Sequence, residues 1–113
     1  MEIITKNLKW DELKQMASAR FGNMVKAVVD VDKEALALDA ELHSDLEALL
    51  LENGSTQKNL WGINLYPDMR GDEFIEYDSM INVRPGQGNR TRSIDSEEIR
   101  KKIVAVVGKR VAR

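Results

Sequence analysis

The sequence predicts an α+β domain: a five-stranded, mostly antiparallel sheet with three helices, in the order β-α-β-β-α-β-β-α. Three observations predict it. Apolar residues alternate with period two in 24–39, 60–67 and 73–84, as strands require. They recur at i, i+3/i+4 spacing in 10–22, 43–54 and 95–113, as amphipathic helices require. The strands come in consecutive pairs joined by short turns, which makes paired neighbours antiparallel. Three such helices would cover one face of the sheet and leave the other polar and open, or used in assembly.

Taken in order, "EIIT" (2–5) reads as a strand. "WDELKQMASARFG" (10–22) reads as a helix with Leu13, Met16, Ala17 and Phe21 on one face, started by Asn7 or Asp11 and stopped by Gly22. Residues 24–39 read as a hairpin, with Val25, Ala27, Val29 and Val31 sharing a face and Leu36 and Leu38 continuing it after "DVDKE". In 43–54, Ser44 and Glu47 have capping-box spacing and Asn53-Gly54 a helix stop. Asn-Gly between apolar runs also suits a hairpin, so helix and hairpin both stay open there. Trp61, Ile63 and Leu65 share a face of the next strand, and 73–84 reads as one long strand with a bulge near Asp78 to Met80. The last helix, 95–113, has Asp95 and Glu98 as a capping pair and buries Ile99, Ile103, Val106, Val107 and Val111.

At 113 residues the chain fits one domain, 1–113, and can bury a core without staples. Hydrophobic residues at 42% and charged residues at 32% fit a globular protein. Cysteine is absent, which excludes disulfides and thiolate metal sites and suits a reducing cytoplasm. "MEIITKNLKW" lacks the basic start and apolar run of a signal peptide, and no stretch reaches membrane-spanning length. A cytoplasmic location without membrane contact is therefore expected. The net charge of -2 conceals a split: residues 1–83 hold 8 basic and 16 acidic side chains, residues 84–113 hold 9 and 3. That raises an anionic partner as one explanation and a basic tail packed on the chain's own acidic body as the other.

The strongest candidate site is "VRPGQGNRTRSI" (83–94). Gly86 and Gly88 permit tight turns. Arg84, Arg90 and Arg92 offer planar donors suited to carboxylate or phosphate, and Gln87 and Asn89 add directional hydrogen bonds. The segment opens a helix, whose first N–H groups favour an anion. The glycine spacing matches neither a Walker A loop nor a dinucleotide fingerprint. The plainer alternative pairs the arginines with Glu76, Asp78 or the acids of the helix start. His43, the single histidine, stands one helical turn before Glu47 and is the natural proton-transfer candidate with it. One histidine with carboxylates is too few ligands to assign a metal site. Asn64 and Asn82 sit in predicted strands, where asparagine is depleted, and suggest a cross-strand pair near Arg84. Lys101, Lys102, Lys109 and Arg113 share the outer side of the last helix. No aromatic residue interleaves them, which argues against nucleic acid. No serine elbow supports nucleophilic catalysis.

The segments "ELHSDLEALLLENGS", "LWGINLYPD" and "YDSMINVRPGQGNRTRSI" resemble a small prokaryotic family of uncharacterised proteins, a domain of unknown function, over almost the whole chain. The matching positions are His43, Asp45 and Glu47; Trp61, Gly62, Asn64, Tyr66 and Pro67; and Arg84, Pro85, Gln87, Gly88, Asn89, Arg90 and Arg92. Where relatives carry Gly-Gly before Glu-Leu-His, this chain has Asp39-Ala40. The resemblance implies a cytoplasmic prokaryotic protein and no particular activity or cofactor. The residues themselves support a binding module for a small phosphate- or nucleotide-like anion, using Arg84, Gln87, Asn89, Arg90, Arg92 and Asn64. The alternatives are a hydrolase or transferase using His43 and Glu47 beside that loop, and a homodimeric interaction protein without a small ligand. Whether the protein is an enzyme stays open at this level.

Overall fold

The computed structural model describes residues 1–112. The elements are β1 (Glu2–Ile4), β2 (Leu8–Lys9), α1 (Trp10–Arg20), β3 (Val25–Asp30), β4 (Ala35–Leu38), α2 (His43–Glu52), β5 (Leu60–Leu65), β6 (Ile75–Glu76), α3 (Glu97–Arg110) and β7 (Val111–Ala112). β1, β4, β3, β5 and β6 form one sheet in that order, antiparallel at every junction. β2 and β7 pair in parallel outside it, tying the entry of α1 to the exit of α3. The α+β class, the five-stranded sheet and the three helices are as the periodicities predict. Arg113 lies outside the described residues.

The helices do not share one face. α1 and α3 pack on the face that carries Val25, Ala27 and Val29 of β3, Leu36 and Leu38 of β4, and Trp61, Ile63 and Leu65 of β5. α2 lays Leu46 and Leu50 on the opposite face, against Val28, Ala37 and Leu60. The expected open face is therefore covered, and the chain folds in three layers. The reason lies in the inner strands. β4 and β5 are buried at every residue and β3 at all but Lys26, so both side-chain parities need cover.

All three helix starts differ from expectation. Leu42, in extended conformation, precedes α2, and Ser44 already lies inside the helix, so the Ser44–Glu47 capping box does not form; Glu47 faces the core instead. α3 begins after Ser96, whose hydroxyl accepts from the Ile99 N–H at 3.2 Å, one residue beyond the expected Asp95. α1 starts after Lys9, whose N–H donates to the Glu12 carboxylate at 3.3 Å, so neither Asn7 nor Asp11 is its cap. Asp39 holds φ +73°, a left-handed position that favours glycine, and its carboxylate accepts from Arg20 Nε at 2.9 Å.

The long strand expected over 73–84 ends at Glu76. The following residues, 77–79, leave the sheet edge, and Met80–Asn82 form a single 3-10 turn started by the Ser79 hydroxyl. Gly62 lets this turn lie directly on β5: a Cβ there would stand 2.5 Å from Ser79 Cβ. Asn82 then replaces the missing strand, accepting from the Gly62 N–H at 2.8 Å and donating to its carbonyl at 2.9 Å. The expected Asn64–Asn82 pair does not form, because each amide finds other partners.

Candidate functional site

The arginine loop is built around its own backbone. Arg84 and Asn89 bridge antiparallel, with Arg84 N–H to Asn89 O at 2.7 Å, and Gly88 makes the turn at φ +81°. Buried Asn89 is the hub: its Nδ2 lies 2.7 Å from the carbonyls of Asn82 and Ser93, and its Oδ1 accepts from the Asp95 N–H at 2.9 Å. Arg84 reaches inward. It donates to the carbonyls of Ile81 and Gln57, each at 2.9 Å, and to that of Leu60, and it stacks 4.6 Å from the Trp61 ring centre. Glu47 of α2 stands 3.9 Å from its Nη2. Burial lowers the Arg84 pKa, and Glu47 pulls it back up.

The other members of the loop diverge. Arg92 Nε donates to the Asp78 carboxylate at 2.7 Å. Gln87 Nε2 donates to Lys58 O at 3.2 Å. Arg90 is exposed, and no described acid pairs with it. The loop's guanidinium groups thus serve separate neighbours. The late basic residues also meet the early acids directly: Lys109 Nζ lies 3.0 Å from Glu34 Oε1, and Arg110 Nε donates to the Glu34 carbonyl.

His43 and Glu47 do share one face of α2, turned onto the sheet. His43 is 8% exposed, and its Nε2 lies 2.8 Å from the Ile63 carbonyl. A carbonyl only accepts, so Nε2 carries a proton. Burial lowers the pKa and nearby Lys26 adds to that, while the Ile63 carbonyl, Asn64 and Asp78 act in the opposite direction. Asn64 Nδ2 donates to Glu76 at 2.8 Å, as does the Tyr66 hydroxyl at 3.0 Å. Asn64 Oδ1 and Glu47 Oε2 are buried without a hydrogen bond. The structure therefore brings Glu47 to Arg84 and places His43 beside Asn64. Neither pair hydrogen-bonds directly to Arg90 or to the Arg92 side chain among the described residues; Asp78 stands between Asn64, which donates to its carbonyl at 3.3 Å, and Arg92.

A feature that residue patterns did not reveal lies on the other side of the sheet edge. A groove of about 1140 Å³ runs between α3 and β6. Trp10, Phe74, Ile75, Val104 and Val107 supply apolar walls, and Asp72, Tyr77 and Arg100 supply polar groups. Arg100 Cζ lies 4.3 Å from the Tyr77 ring centre, its Nε donates to Ile94 O at 2.6 Å, and its Nη2 to Ser93 Oγ at 2.9 Å. Among the described residues no carboxylate pairs with Arg100. Burial pushes the Tyr77 hydroxyl pKa up, and Arg100 pulls it down. Two features of α3 mark it in the structure. Val104 is a β-branched residue 52% exposed on a helix. Gly108 lies within that helix although a Cβ there would meet nothing within 4 Å.

Among the described residues no helix is long and apolar enough to cross a membrane. The family model "Protein of unknown function (DUF5674)" matches residues 2–110. No curated protein and no solved structure matches the chain. The chain belongs to this family of unknown function.

Proposed function

We propose that the protein is a binding module whose site is the groove between α3 and β6, and that it takes an apolar ligand bearing a negative group. One observation carries this reading: an open groove with apolar walls and polar groups among them holds a positioned guanidinium, Arg100, that no described acid neutralises. Apolar concavity with a few convergent polar groups is the usual form of a ligand site. The anionic ligand expected from the arginine loop is kept, but its recognition moves from Arg84 and Asn89, which hold the loop together, to Arg100. A single guanidinium suits a carboxylate or sulfonate better than a polyphosphate. Gly108 supports the same reading, since a helix glycine costs about 1 kcal/mol relative to alanine and no neighbour requires it. The enzyme alternative has less support, because His43 is tied to Ile63 and Glu47 faces Arg84. A cytoplasmic location, consistent with the absence of cysteine, belongs to the proposal.

Anilinonaphthalene sulfonate, an apolar anion that fluoresces in dry grooves, tests it. The folded protein at neutral pH is expected to bind the dye saturably, one per chain. Gly108→Leu fills the groove from a position with open space, so this variant is expected to fold at least as stably and to lose the dye. Absent dye binding, or equal binding by a folded Gly108→Leu variant, overturns the assignment.

A further inference from the structure

We infer that the groove receives an extended peptide segment, which adds to the sheet along β6 and sets a carboxylate on Arg100; this rests on the groove being the binding site. Among the described residues β6 is an edge strand, paired with β5 alone. Asn64 stands opposite Glu76 and Leu65 opposite Ile75, and the Tyr66 N–H donates to Phe74 O at 2.9 Å. Hydrogen-bonded pairs alternate in an antiparallel ladder. Tyr66/Phe74 and Asn64/Glu76 are therefore the bonded pairs, and the Ile75 N–H and C=O face away from β5. Ile75 also lines the groove. An outward backbone donor and acceptor thus border an apolar trough whose far wall is a helix. Strand addition uses main-chain hydrogen bonds for affinity and side-chain pockets for selection, and this trough offers both.

The dimensions and charges agree. Farther along, the edge is closed by the chain itself, where the Ser79 N–H donates to Arg92 O at 3.0 Å. The open stretch faces α3 and the first residue of β7, from Arg100 to Val111. At 1.5 Å per residue that wall is about 16 Å long. It spans about five extended residues at about 3.3 Å each. Val104 and the bare backbone at Gly108 leave room for alternate side chains of such a strand. Arg100 is held through Nε, Nη2 and the Tyr77 ring, while its Nη1 donates to none of the described residues, so a fixed donor marks one end. Asp72, preceding β6, also lines the groove and suits a cationic group.

Random heptapeptides displayed with free carboxyl termini and panned on the full chain provide the test, with Kd read by fluorescence polarisation. Enriched peptides are expected to carry a carboxylate and apolar residues at i, i+2, and to bind Gly108→Leu about tenfold more weakly or worse. Amidating the terminus, or replacing an acidic side chain by its amide, identifies which carboxylate meets Arg100. N-methylation scanned along a bound peptide is expected to weaken binding at the position set against the Ile75 backbone and to be tolerated elsewhere. Uniform tolerance of N-methylation overturns strand addition. Dye binding without any saturable peptide overturns the peptide and leaves the groove assignment standing; loss of both removes both. A wild-type dimer by light scattering that becomes monomeric in Gly108→Leu gives the groove to a second copy, and also overturns the peptide.

Discussion

Asn82 stands in for a strand against Gly62: one side-chain amide both accepts from the Gly62 N–H at 2.8 Å and donates to the Gly62 carbonyl at 2.9 Å. Both residues are buried. Asn82→Leu removes donor and acceptor together and leaves two backbone groups of β5 without partners. Each buried orphan costs about 1–3 kcal/mol, so a loss of about 3–5 kcal/mol is expected in urea unfolding. Gly62→Ala drives its methyl into Ser79 and displaces the same 79–82 turn. The double variant is expected to lose clearly less than the sum of the single losses, and additivity would show the two residues acting independently.

Arg84 is a clamp between α2 and the entry of β5. Arg84→Met leaves three carbonyls without its donors and the Glu47 carboxylate buried without its cation. Breaking a buried pair from one side costs about 3–5 kcal/mol. Glu47→Gln is expected to be far milder alone and to return about 1–3 kcal/mol in the Arg84→Met background. If Arg84→Met costs the same with Glu47 or with Gln at 47, the pair is not what holds α2 to β5.

His43 makes the fold sensitive to mild acid. Its folded pKa lies below its ordinary 6.5. The unfolded chain therefore binds the proton more tightly, and stability rises with pH through that window. The contribution is complete above pH 6.5 and is lost as pH falls toward the folded pKa. The slope reaches at most about 1.4 kcal/mol per pH unit. Denaturant titrations from neutrality down to about pH 5, above the carboxylate range, are expected to show this decline and to show it flattened in His43→Gln. An unchanged slope in that variant would move the sensitivity to another group.

Much of the fold was legible because the signals for its elements are local. Val25, Ala27 and Val29 alternate within one strand, Ile103, Val106 and Val107 recur within one helix, and Gly22 and Gly54, at φ +90° and +96°, stop α1 and α2 as their positions suggest. The candidate site was less legible. Arg84, Asn89 and Arg92 were visible as residue types, but their partners were not. Nothing near Arg84 in sequence announces Leu60 or Glu47, and nothing near Arg92 distinguishes Asp78 from Glu76.

The sequence by itself determined that 10–22 and 95–113 are helical and that 24–39 and 60–67 are extended, since those properties follow from side-chain periodicity along one stretch of backbone. Tertiary structure alone decided that α2 crosses to the far face, that the 73–84 strand stops at Glu76, and that α3 and β6 leave a trough between them. Each of those outcomes depends on contacts between distant residues: Asn82 with Gly62, 20 positions apart, or Arg100 with Tyr77. Periodicity constrains which side of an element is buried, and only packing chooses the partner that buries it.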